Sequence, residues 1–577
     1  MAKFDFDDSD KLGTVREVDT RKVSVLVGND DDLRKARVGQ LVAIDLSGAV
    51  DSWLIAIIEK VIRFVGQQET QDDSDNEIIT ETDKELVINN VKVTLVGTFG
   101  WNAVKGKSTF TRSIVQVPGI TDECFILKGS SLEVFMNVLS ETSQKEEYSL
   151  ELGKYVLDET AKAFLDGNKF FQRHAAILGS TGSGKSWTVA SILEQAAKLP
   201  TSNLIIFDLH GEYSELSYAR HLRIPGPDEL DNASDELLYL PYWLLNAEEM
   251  QSMFIDRSEF SAHNQVMAFQ DAVIAEKKEL LKSLNKKDVL NAFTIDSPVP
   301  FSLNNVIKRL RNLNEEMIQG ARGLKQGQFF GQFSRLLTRL NSKLSDKRYG
   351  FLFGAPEKEH QYDSMYKIVT KLMDYSIEKT QIKVIDFSEV PSDILPTIVG
   401  LVARIIYQIQ FWTESNKRHP LALICDEAHL YLPEKSGKNP IKVRAIEAFE
   451  RIAKEGRKYG VSLVIISQRP SDVSTTILSQ CNNVIALRLT NGTDRQTVYK
   501  LMPESLESLL EVLPIMDVGE GLVVGDAVLL PSRIKIHPPK EKPLSATIDF
   551  WSEWLKEKEK IDFEKSVENM RKQRRKK

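Results

Sequence analysis

The chain has 577 residues, 42% of them apolar and 27% charged, with a formal net charge of −7, the balance of a globular chain long enough for about two to four cores. Its three cysteines, Cys124, Cys425 and Cys481, are widely spaced and form no CxxC pair, which excludes a disulfide framework and a structural zinc site and fits a reducing compartment. No stretch reaches the ~18 apolar residues of a membrane helix, and the acidic start MAKFDFDDSDK lacks the apolar segment of a secretory signal, so a cytoplasmic protein with no membrane partner is expected.

Residues 10–130 read as short strands, among them 21–27, 53–58 and 91–96, separated by turn-rich or acidic stretches such as Gly28-Asn-Asp-Asp-Asp. Strands at such spacing predict a small β-barrel over 1–135, with the polar, acidic segment 67–83 as a loop between two of them. From about residue 170 apolar strands alternate with helical stretches. The candidates are 175–178, 204–207, 384–387, 421–425, 463–467 and 484–489, and their continuous apolar runs predict a parallel sheet covered on both faces, an α/β core. That core divides into 136–227 and 376–540. Between them 228–375, rich in Leu, Glu, Lys and Gln at helical spacing, reads as a helical insertion. The last part, 541–577, begins amphipathic (Phe550, Trp551, Trp554, Leu555) and ends in a run of Arg and Lys from Arg571.

Gly179-Ser180-Thr181-Gly182-Ser183-Gly184-Lys185-Ser186 fits GxxxxGK[ST] in full, with an apolar strand entering it and a helix leaving it from Trp187. Glycines let backbone N–H groups converge on phosphates, and the helix N-terminus adds positive potential. Lys185 would reach the β- and γ-phosphates and Ser186 a Mg²⁺ ion, so ATP and Mg²⁺ are the expected cofactors. A chance Gly/Ser turn would lack both flanking elements. A P-loop also needs an acid on a neighbouring strand. Leu421–Cys425 ends in Asp426-Glu427, with Asp426 where a magnesium-binding acid belongs and Glu427 positioned to act as general base; the plainer alternative is a pair of acids opening a helix. Gln468, ending the 463–467 strand, is a candidate γ-phosphate sensor or a mere strand cap. Arg451 and Arg457 lie in a cationic cluster that could serve as an arginine finger or be a solvated helix face. Asp208-Leu-His-Gly211 and Asn285-Lys-Lys-Asp288 formally suit a GTPase, but the latter follows a charged helical stretch rather than a strand, and a GTPase leaves Asp426-Glu427 unexplained.

With these motifs in place, and with Asp208-Leu-His-Gly-Glu-Tyr213, Gly331-Gln-Phe-Ser-Arg335, Asp426-Glu-Ala-His429, Glu455-Gly-Arg-Lys-Tyr-Gly460 and Ser467-Gln-Arg-Pro470, the sequence resembles the HerA family of hexameric DNA translocases, relatives of the FtsK pumps. The run Asp-x-His-Gly-Glu-Tyr is the most diagnostic, since generic P-loop ATPases lack it. The resemblance implies a RecA-like P-loop core behind a HAS-type barrel, and it gives Gly179–Ser186 and Trp187 to the nucleotide, Ser186 and Asp426 to the metal, and Lys185 and Glu427 to catalysis. It makes Arg457 the first choice for a finger acting on a neighbouring subunit, with Arg451 second, and places Glu212 near the γ-phosphate. It further implies a homohexamer on double-stranded DNA, a C-terminal brace over the neighbouring subunit, and a barrel face that docks an effector, either a NurA-like nuclease or a sirtuin-like or other nuclease effector of anti-phage defence. The sequence pI of about 5.8 does not choose between these settings.

Two functions share this ATP site: a DNA translocase, and an ATP-gated scaffold that assembles and regulates an effector. Basic residues lining a pore would separate them. The candidates are Lys435, Lys438, Lys442 and Arg444 after the acidic strand, and Arg322, Lys325, Arg335 and Arg339 in the insertion; solvated surface is the alternative for each group.

Overall fold

The computed structural model describes the chain apart from residues 1–3, 47–51, 67–85, 103–105, 115, 145–148, 231–233, 321–322, 377–379, 435–439, 503, 545–548, 557–562 and 573–577. The expected loop 67–83, Arg322, Lys435, Lys438 and most of the terminal Arg/Lys run therefore lie outside the described residues, as do the side chains of Lys442 and Arg444. The chain divides into two units, one made of Met1–Ile192, Ser467–Ser471 and Leu478–Pro539, the other of Leu193–Ile466, Asp472–Ile477 and Lys540–Lys577.

In the first unit, strands β1 (Lys11–Asp19), β2 (Lys22–Val27), β3 (Leu41–Asp45), β4 (Ser52–Gly66), β5 (Leu86–Asn102), β6 (Lys107–Thr111) and β7 (Glu123–Ile126) pair in the order β2-β1-β7-β3-β4-β5-β6. A further β2–β5 pairing, Val23 opposite Val93 and Val25 opposite Val91, closes six of them into an antiparallel barrel with β6 appended to β5. Closure removes the sheet edges, and alternate residues such as Val15, Val25, Ile44, Ile58 and Val93 fill the interior. The predicted barrel is present. The remaining strands of this unit begin with the parallel pair Ala175–Leu178 and Asn483–Leu487 and continue antiparallel through Glu520–Gly525, Ser532–Ile536, Ser149–Tyr155 and Lys162–Asp166. The expected parallel sheet thus has an antiparallel flank, built from mixed polar and apolar strands that a search for continuous apolar runs passes over.

The second unit holds five parallel strands in the order Arg220–Arg223, Ile382–Asp386, Leu204–Asp208, Leu421–Cys425 and Val461–Ser467. The central three are buried at nearly every position, and Phe207 packs edge-on against Phe387 and Phe449. Helix Leu395–Trp412 is long and apolar enough to cross a membrane by length and composition, yet 67% of it is buried within the chain, where it packs on helix Pro440–Glu455. Between the strands Arg220–Arg223 and Ile382–Asp386 the chain is mostly helical, led by Ala262–Ser283, Leu303–Glu315 and Ser334–Ser345. One exposed hairpin, Met317–Gly320 with Gly323–Gln326, interrupts that series.

Candidate active site

The phosphate loop lies in the first unit between the strand Ala175–Leu178 and the helix Lys185–Ala196. Its backbone is pinned at both ends: Gly179 N–H donates to the Ser467 carbonyl at 3.2 Å, Ser180 N–H to Arg488 at 2.8 Å, and Gly519 N–H to the Ser183 carbonyl at 3.1 Å. Gly182 (φ +71°) and Gly184 (φ +105°) adopt left-handed conformations that side chains resist. This winding turns the loop onto the helix N-terminus, where amide dipoles favour an anion. Lys185 is 8% exposed and its Nζ donates to the Ser180 carbonyl at 3.2 Å, so the ammonium already sits over the loop. Thr181 Oγ1 donates to Gln468 Oε1 at 2.5 Å. Gln468 is thereby brought to the phosphate loop, as a sensor requires. Trp187 stands 38% exposed beyond Ser186.

The acids gather in the second unit. Asp208, wholly buried, accepts hydrogen bonds from the backbone N–H groups of His210, Gly211 and Glu212 on Oδ1 (3.1, 2.7 and 3.1 Å) and of Tyr213 on Oδ2 (3.0 Å). Gly211 at φ +76° makes that wrap possible, and Tyr213 closes it with a fully buried ring. The carboxylate of the Asp-x-His-Gly-Glu-Tyr run is therefore the post around which its loop is wound, and Glu212 is the residue the loop presents. Motif spacing alone could not reveal this role.

Asp426 ends the strand Leu421–Cys425 at 5% exposure. Burial above all, then the charges of Glu427, Glu212 and Asp208, hold its carboxyl well above the ordinary carboxylate range. So much negative charge in one buried place is relieved by a cation. Among the described residues no group of three or more His, Cys, Asp or Glu side chains is disposed to cage a metal. Magnesium does not need such a cage, because one or two carboxylates plus substrate phosphates suffice. Glu427 has φ +45°, ψ +43°, a left-handed backbone uncommon for a residue with a side chain. Its carboxylate is 12% exposed, with Oε2 3.2 Å from His429 Nδ1. A short 3₁₀ turn, Ala428–Leu430, follows, so the pair does not open a long helix.

Two arginine candidates differ in their surroundings. Arg451 is engaged within its own chain, its guanidinium over the rings of Tyr407 and Phe411 at 5.2 and 5.9 Å and 3.7 Å from Glu455. Arg457, on the turn Gly456–Tyr459, is exposed and has no ion pair among the described residues. In the insertion, Arg339 is bound to Glu259 at 2.7 Å with Asp256 at 3.8 Å, and Arg335 lies 4.0 Å from the same Glu259. Lys325 is exposed on the hairpin. Asn285 and Asp288 follow the helix Ala262–Ser283, not a strand, so no guanine-reading loop exists there.

A phosphate loop, a strand-end pair of acids and a parallel sheet define a P-loop ATPase of the RecA-like class. The sequence pattern of the HerA helicase central domain matches residues 150–406. The DNA double-strand break repair helicase HerA of Saccharolobus solfataricus is 28% identical over 399 residues, 68% of this chain and 70% of that protein. Its namesake of Pyrococcus furiosus is 26% identical over 407 residues, 68% and 70% of the two chains. Among solved structures, VirB4 of Thermoanaerobacter pseudethanolicus is similar with a TM-score of 0.43 and 18% identity, over 68% of this chain and 97% of that one. Over 68% of its length the chain is thus similar to HerA helicases.

Proposed function

We propose that this ATPase is a motor that moves double-stranded DNA, assembled as a homohexamer in the cytoplasm. The observation that carries the reading is Asp426-Glu427: a strand-end acid held protonation-prone by burial and then by its acidic neighbours, beside a second acid in a strained backbone conformation, in a chain similar to proteins named DNA double-strand break repair helicases. Residues Gly179 to Trp187 hold ATP, with Lys185 on the β- and γ-phosphates. Ser186 on the phosphate loop and Asp426 at its strand end are the residues that would hold magnesium, which would supply charge neutralisation at the phosphates. Glu427 takes the proton of the attacking water, Glu212 and Gln468 report the γ-phosphate, and Arg457 serves the nucleotide of the neighbouring subunit, with Arg451 the second candidate.

The five-part division at residues 135, 227, 375 and 540 assigns the remaining tasks. Helices Phe550–Leu555 and Phe563–Arg571 expose Phe550, Trp551, Trp554 and Phe563 by 60–72%, which supports the brace against a neighbouring subunit. The barrel docks the effector, a NurA-like nuclease or a sirtuin-like or other defence effector. The scaffold alternative has its own support, because Arg335 and Arg339 are already matched by acids and offer little charge to DNA. Displacement of a triplex-forming strand from linear duplex by the wild type with ATP separates the two. ATP-dependent displacement is expected, and turnover without displacement would favour the scaffold.

A further inference from the structure

Within the first unit lies a cavity of about 400 Å³, inside the ~300–1,000 Å³ range of small-ligand pockets. The barrel segment around Gly39, the start of helix Gly129–Ser143, the turn after Ser149–Tyr155 and the strands Glu520–Gly525 and Ser532–Ile536 wall it. Leu41, Ile57, Leu132, Leu509, Leu522 and Leu530 make most of the wall aliphatic. No residue of the Gly179–Ser186 loop, and none of the clustered acids, contributes to it.

Every charged residue on the wall is a cation: Arg37, Lys128 and Arg533. Two have acids elsewhere, Lys128 with Asp10 at 2.7 Å and Arg533 with Glu520 at 2.8 Å. Arg37 is exposed and has no ion pair among the described residues. Arg533 adds a second sign of an absent partner, for its Nε–H is buried and finds no acceptor among the described residues. Buried donors are nearly always paired, so an acceptor entering from the cavity would complete this one. An aliphatic wall, no lining acid, an unmatched guanidinium and an orphaned donor together specify an apolar body with one negatively charged, hydrogen-bond-accepting head.

We propose that this cavity binds a small amphipathic carboxylate, its aliphatic part against the leucines and its head on the Arg37 and Arg533 side. The test is calorimetric titration of the full-length protein with sodium decanoate, with 1-decanol and acetate as controls for charge and for chain. Saturable binding of one decanoate per chain is expected, with decanol and acetate each at least about tenfold weaker, a difference of about 1.4 kcal/mol. Arg37→Glu, an exposed change that leaves the core intact, is expected to weaken decanoate about tenfold or more, and Arg37→Lys to retain most of the affinity. Non-saturable heats, decanol binding as tightly as decanoate, or undiminished affinity in Arg37→Glu would each overturn the proposal.

Discussion

Glu427 combines two properties that rarely meet in a merely structural acid. Its backbone is left-handed, a conformation that holds ~1–3 kcal/mol of strain and persists where the surroundings over-determine it, and its carboxylate is largely buried beside His429. Removing only its basicity leaves this geometry in place. Glu427→Gln is expected to bind ATP with near-normal affinity and turn over ~10²–10⁴-fold more slowly, whereas Lys185→Ala loses nucleotide affinity itself. Fluorescent-nucleotide titration with steady-state turnover distinguishes the two, and normal turnover in Glu427→Gln would remove it as the base. Asp426 makes a prediction of opposite sign for stability. Burial first, then neighbouring acids, raise its folded carboxyl above the unfolded value of 3.8, so over that window the native state holds more protons than the unfolded chain. Stability therefore falls as pH rises through the window, and the charged carboxylate burdens the nucleotide-free fold at neutral pH. Asp426→Asn should raise the melting temperature of the nucleotide-free protein at pH 7 while abolishing turnover. The melting gain should shrink in acid, and a lower melting temperature at pH 7 would contradict this account of the acid cluster.

At the scale of elements, the loop wound around Asp208 sets the position of Glu212, and the segment after residue 539 fastens to the same place: Leu544 N–H donates to the Glu212 carbonyl at 2.7 Å and Glu541 accepts from Ser217 N–H at 2.6 Å. Asp208→Ala strands four backbone donors, and with charge-assisted bonds of ~1.5–3 kcal/mol lost a destabilisation of about 3 kcal/mol is expected by denaturant unfolding. A change below about 0.5 kcal/mol would show the loop holds itself. Hydrophobic pattern and motif made most of the parallel strands legible: Ala175–Leu178 and Leu421–Cys425 are as read, and Leu204–Asp208, Ile382–Asp386 and Val461–Ser467 differ from the reading only at their ends. Strands such as Ser149–Tyr155 and Ser532–Ile536 were hidden because they alternate polar and apolar residues, and the hairpin Met317–Gly320/Gly323–Gln326 because it is exposed on both faces. The post-like role of Asp208 was hidden for a different reason: it depends on four amides turning toward one carboxylate, which no spacing encodes.

For the whole molecule, the contrast between an exposed Arg457, without an ion pair among the described residues, and a ring-stacked, ion-paired Arg451 favours Arg457 as the group that leaves its own chain. In the proposed hexamer, mixing Arg457→Ala with Lys185→Ala subunits should recover part of the turnover each lacks alone, since some interfaces then unite an intact loop with an intact arginine. No recovery in assemblies shown to be mixed would place Arg457 in its own subunit's chemistry. The proposed docking of an effector on the barrel calls for a similar choice of residue. Asp30 is tied to Arg63 and Asn89 and Asp32 to Lys35, while Asp31 is 87% exposed and meets only the likewise solvent-facing Arg34 at 3.4 Å among the described residues, so charge reversal at Asp31 probes recognition with the least disturbance of the fold.

The central claim, an ATPase coupled to double-stranded DNA, is tested most directly by steady-state ATP turnover of the wild-type protein titrated with linear duplex DNA, with Glu427→Gln as the blank. Turnover is expected to rise several-fold to a plateau with duplex, to weaken steeply with salt as phosphate contacts are screened, and to be absent in Glu427→Gln at every DNA concentration. Turnover that is intact in the wild type and indifferent to duplex DNA across the titration would contradict the motor reading.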